Sequence, residues 1–86
     1  MAELDDLKRA GRAREVLENE LFAEAFRHCL DDLRRQRLQA KHTDTDTHSK
    51  LVIAEQLLER IERFLVSEIE TGEQTALEIE RKRKWF

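Results

Sequence analysis

Nothing in this sequence forbids a helix over most of its length. There is no proline, and glycine occurs only at Gly11 and Gly72. Ala, Leu, Glu, Arg and Lys dominate, and β-branched residues are sparse outside one short stretch. Strong helix formers with few breakers predict an all-α chain. Charged residues make up 41% of the 86 positions and the hydrophobic class 40%. That balance suits long amphipathic helices, or a coiled coil, better than a thick core.

Apolar spacing divides the chain into segments. Leu4, Leu7, Ala10, Ala13, Val16 and Leu17 recur every three or four residues and predict a first helix over 3–18. Asn19 is a natural stop for it, or a cap for the next helix, and a kink with a short joint is expected there. Residues 20–40 carry the strongest stripe: Phe22, Ala25, Phe26, Cys29, Leu30 and Leu33, with charged residues elsewhere. On this stripe Cys29 is expected as a small buried hydrophobe. Thr and Asp then alternate through KHTDTDTHSK, which predicts a loop over 41–49, with Thr47 or Ser49 capping the third helix. That helix is expected over 50–71, on the stripe Leu51, Ala54, Leu58, Ile61, Leu65 and Ile69. Gly72 reads as its left-handed stop. Residues 73–86 are expected to form a short helix and a tail that is first basic, then aromatic.

The resulting picture is a single domain. It is an antiparallel helical hairpin of 20–40 and 50–71 with an N-terminal helical arm and a short C-terminal helix or tail. A chain this short buries proportionally little surface alone. Cys29 is its only cysteine, so no internal disulfide is available. The stripes are wide, and Leu21, Leu38, Phe64 and Val66 sit off their centres. Hairpins are therefore expected to associate into an oligomeric bundle or a ring, with Phe22, Phe26, Leu30, Leu33, Leu58, Ile61, Leu65 and Ile69 as the core or oligomer contacts.

Chemistry-bearing patterns are few. The loop holds His42, Asp44, Asp46 and His48, but the histidines are six residues apart with no cysteine nearby. Zinc sites want closer His or Cys ligands, and a calcium loop wants more carboxylates, a central glycine and a closing glutamate. The loop reads as a solvated turn, and no metal or cofactor is expected. His28 and Cys29 are neighbours in sequence, which points them away from each other on a helix and discourages a nucleophile–base pair. Asp31, Asp32 and the glutamates of residues 50–71 read as a solvated face. No phosphate loop or nucleophile elbow is present, so no catalytic residues are assigned and a non-enzyme is expected.

The tail offers more. Arg81, Lys82, Arg83 and Lys84 precede Trp85 and Phe86. The cations can cap the last helix while the aromatics fold back on the bundle. The segment can instead dock on another protein, since aromatics and arginine concentrate at binding hot spots. It can also touch phosphates and stack on bases. The net charge of −3 argues against a general nucleic-acid coat. No apolar run approaches the roughly 18 residues of a membrane span, and MAELDDLKRAGR lacks the apolar stretch of a secretory signal.

The order of features is similar to that of small, mostly uncharacterised helical proteins of tailed bacteriophages, encoded among head-assembly and packaging genes. Ala13, Val16, Leu17, Asn19, Leu21, Phe22, Ala25 and Phe26 carry the likeness, followed after the polar turn by Glu70, Thr71 and Gly72. It covers roughly residues 10 to 75. Such proteins tend to have proline after the asparagine, where this chain has Glu20. The resemblance implies phage origin and a place in the host cytoplasm or the virion; it transfers no catalytic residues. The expected function is a virion-assembly or packaging adaptor that contacts itself and a larger protein assembly. The alternatives are a nucleic-acid-binding packaging accessory using Arg34, Arg35, Arg37 and Arg81 to Lys84, or an inhibitor of a host protein using Glu55, Glu59, Glu62, Glu68 and Glu70.

Overall fold

The structure, a computed structural model, describes residues 2–85, the last of them by its backbone alone. The described residues form three α-helices and no strand: α1 (Ala2–Glu18), α2 (Glu20–Gln39) and α3 (Thr45–Trp85). Asn19 alone separates α1 from α2. Its backbone is extended (φ −66°, ψ 120°) and its side-chain oxygen accepts the Phe22 N–H at 2.9 Å. One residue thus ends one helix and caps the next.

Residues 40–44 make the turn into α3. The Ala40 N–H still donates to the Gln36 carbonyl at 2.9 Å, and the Asp44 N–H donates to the Lys41 carbonyl at 2.9 Å. Asp44 caps α3, in place of the expected Thr47 or Ser49. Its carboxylate accepts the Thr47 N–H at 3.1 Å and the Thr47 hydroxyl at 2.6 Å. The helix therefore begins at Thr45, inside the segment expected to be loop.

The larger departure is at Gly72. The expected stop is absent, and α3 runs through it to Trp85, 41 residues in all. Gly72 has no positive φ. Its role is closeness: a Cβ there would overlap the Cβ of Ala10 and lie 3.3 Å from the Asp6 carbonyl oxygen. The sequence explains why the helix persists. Leu51, Ala54, Leu58, Ile61, Leu65, Glu68, Gly72, Thr75, Ile79 and Lys82 are spaced alternately by three and four residues. That seven-residue repeat keeps one seam toward a partner helix, and Gly72 occupies a seam position.

Pairs along the seam run in opposite senses on the two sides. Glu3 meets Lys82 at 3.2 Å, Asp6 meets Thr75 at 3.2 Å, and Ala10 meets Gly72. Farther along, Arg37 meets Glu55 at 2.9 and 3.1 Å. So α1 and α2 lie end to end along one long α3, antiparallel to it. The molecule measures 65 × 24 × 18 Å, close to the roughly 60 Å that a 41-residue helix spans.

Within the single chain the core is thin, and it lies mainly between α1 and α3. Among the described residues only Ala10, Ala13, Leu51, Gly72 and Thr75 are buried. All but Leu51 belong to the α1–α3 contact, where alanines and Gly72 let the backbones approach. Phe22, Phe26, Leu30, Leu33, Leu58, Leu65 and Ile69 are only half-buried, and Ile61 is 52% exposed. Large side chains hold α2 farther from α3, so each covers one flank and leaves the other to solvent.

Candidate interaction surface

The exposed apolar side chains are not scattered. Ile53, Leu57, Ile61 and Phe64 are each more than half exposed, and their spacing of four, four and three residues places them on one strip of α3. On this side a groove between α2 and α3 is lined by Cys29, Leu33, Ala54, Leu57 and Ile61, with Asp32 at its edge. One turn along the strip, Phe64 joins Val16 and Ala13 in a second groove, bordered by Arg9, Arg12 and Glu68. The two grooves form one apolar face that crosses the Asn19 joint. The opposite side of α3 presents Glu59, Glu62 and Arg63 around Val66. One side of α3 is thus largely apolar, and along Glu59, Glu62 and Arg63 the other side is charged.

Sequence reasoning placed Cys29 in a buried stripe, but it is exposed. It stands on the open side of the α2–α3 groove, where no further element covers it. Ile53 was missed, although its spacing to Leu57 and Phe64 marks a second stripe beside the seam. Phe22 and Phe26 stack at 6.1 Å between centroids and line a separate groove with Leu17 and Leu30. Among the described residues Leu21 and Leu38 are the most exposed large apolar side chains, at 73% and 88%.

The basic segments do not converge. Arg34, Arg35 and Arg37 sit beside the turn, where Arg37 is committed to Glu55 and Arg35 lies 3.8 Å from Asp32. Arg81, Lys82, Arg83 and Lys84 occupy the last turns of α3, about 40 Å away at ~1.5 Å per residue. Lys82 pairs with Glu3; Arg81, Arg83 and Lys84 are exposed. Phe86 and the side chain of Trp85, expected as docking aromatics, lie outside the described residues. The acidic set is divided as well, since Glu55 is held by Arg37 and Glu68 by Arg9 at 2.7 Å.

At the start of α3, the His48 Nε2–H donates back to the Lys41 carbonyl of the turn at 3.1 Å, and Asp46 pairs with Lys50 at 3.0 Å. The Thr47 hydroxyl and then the Thr47 N–H hold the Asp44 carboxyl below its ordinary pKa, with His48 and Lys50 adding to the effect. These polar groups serve the turn and the helix start. Among the described residues no cluster of three or more His, Cys, Asp or Glu side chains is placed to share a metal ion. No helix among them is long and apolar enough to cross a membrane. Comparison of the chain with protein-family models, curated proteins and solved structures gives no match.

Proposed function

We propose that this chain is a non-enzymatic bacteriophage protein that serves as a virion-assembly or packaging adaptor through protein–protein contacts. The uncovered apolar face carries the reading. A monomer of this size normally keeps such faces small, and a contiguous exposed apolar patch marks a contact site. Phage origin rests on the resemblance of residues 10 to 75 alone. In this reading the apolar face takes helical surfaces, its own or those of a larger assembly. The exposed cations at the end of α3 add a second contact point that does not compete with it.

The test is salt dependence. Association through apolar surface should persist from low to high salt in light scattering. Binding to duplex DNA, titrated over the same range, should stay weak. A tight DNA complex that weakens steeply with added salt would overturn the adaptor reading in favour of a nucleic-acid accessory.

A further inference from the structure

We infer that the apolar face is covered by a second copy of this chain, placed by a two-fold axis that runs along the rod. The inference rests on the adaptor reading and names the first partner.

Surface area gives the first argument. The chain exposes 7319 Å². A folded monomer of its mass, 10.3 kDa, is expected to expose about 5,400 Å². The excess, roughly 1,900 Å², is more than the roughly 800 Å² that each partner buries in a stable interface. The radius of gyration of 18.7 Å, against about 12 Å for a compact domain of this length, points the same way. One further layer of helices on the apolar face converts a two-helix-thick rod into a four-helix section with an interior.

Charge selects a second copy and its orientation. Arg60 stands on the exposed strip between Leu57 and Phe64, three and four residues from them. No ion pair engages it among the described residues. Asp32 borders the same face on α2, one turn after Cys29; it already accepts from Gln36 Nε2 at 2.9 Å and lies 3.8 Å from Arg35. The pairing of Arg37 with Glu55 sets Asp32 and Arg60 at about the same height along the rod. They lie on the outer edges of the face, one on each helix.

A two-fold along the rod keeps every height and lays each α3 over the other copy's α2, antiparallel to it. Asp32 of each copy then meets Arg60 of the other, twice per dimer. A two-fold across the rod would instead stack α2 on α2 and bring Asp32 toward its own copy. The pattern is self-complementary in the first arrangement only.

Sedimentation equilibrium with charge-swapped variants tests this. The unmodified chain should be a dimer at about 10 µM, a modest affinity for an interface of this size. Leu57→Glu should be monomeric at that concentration while keeping its helical circular dichroism. Asp32→Arg and Arg60→Asp should each weaken the dimer by about tenfold, and the double variant should recover to within about threefold of the parent. Both swap positions reach solvent, so they remain informative even where Leu57→Glu fails to fold. A parent chain that stays monomeric at about 100 µM overturns the second-copy inference, and so does a Leu57→Glu variant that folds and still dimerises. A double variant no better than the singles overturns the axis along the rod. None of these results touches the adaptor reading, which fails on the salt-steep DNA complex instead.

Discussion

Gly72 on α3 lies against Ala10 on α1 with no room for a side chain between them. A Cβ at Gly72 would overlap the Ala10 Cβ, whereas one at Gly11 meets nothing within 4 Å. Two glycines in helices therefore have opposite values. Gly11→Ala should stabilise the fold by about 0.5–1 kcal/mol through helix propensity. Gly72→Ala gains the same propensity but must push α1 away, and overpacking costs roughly 1–3 kcal/mol. Its melting temperature should fall while that of Gly11→Ala rises. Thermal denaturation followed by circular dichroism decides; a rise in both would mean that α1 does not sit where the structure puts it.

Asn19 should be intolerant of alanine and tolerant of glycine. Asn19→Ala removes the acceptor for the Phe22 N–H and favours helical backbone at a residue that is extended here. The expected loss is about 1 kcal/mol, against a few tenths for Asn19→Gly. Chemical denaturation of the two variants side by side measures the difference. Equal stability would argue that α1 and α2 run on as one helix.

Asp44 predicts a weak acid sensitivity at the turn. Its carboxyl is held below its ordinary pKa by the Thr47 hydroxyl and N–H. A group whose pKa is lower when folded contributes stability that is present above the unfolded pKa, near ~3.9. That contribution is lost as pH falls through the folded value. Amide exchange at Thr47 and His48 should therefore quicken below about pH 4, beyond the intrinsic pH trend. Asp44→Asn should exchange faster at neutral pH and lose that extra step. A step that persists in Asp44→Asn would assign it to another carboxylate.

Removing residues 81–86 should separate docking from folding. The deletion takes the last turns of α3 and the pairing of Lys82 with Glu3, in which the side chains are 64% and 49% exposed. Exposed pairs of that kind contribute about 0–1 kcal/mol, so the melting temperature should fall only slightly. Under the proposed adaptor function, association with a larger assembly, measured by co-sedimentation, should weaken much more. A deletion that melts the whole molecule would place the C-terminal turns in the core.

The helical class was legible because class depends on local chemistry: no proline, few glycines, and apolar residues three and four apart. The error at Gly72 has a different origin. A glycine after Glu-Thr reads locally as a stop, and only the three-four spacing on both sides of it reveals a seam position. The thin core misled for a related reason. Phe22, Phe26 and Leu30 look more like core than Ala10 and Ala13 do, because hydrophobicity ranks them higher. Burial also depends on how closely two backbones approach, and small residues permit what large ones prevent. The apolar face was half visible: Leu57 and Phe64 already widen the α3 stripe in the sequence, while Ile53 joins them only once α2 is seen to leave that flank of α3 open.

The long-range pairs carry a consequence for the order in which the molecule assembles. Glu3 waits for Lys82, Asp6 for Thr75 and Arg9 for Glu68, separations of 79, 69 and 59 residues. Synthesis proceeds from the N-terminus, so α1 emerges first and docks last, when nearly all of α3 has left the ribosome. Arg37 and Glu55 are only 18 residues apart. The turn between α2 and α3 can therefore close early and present α3 as a track along which α1 later settles. Closing such distant contacts is slow, and until it is done Ala10, Ala13 and the facing stretch around Gly72 are open to any other helix of similar shape.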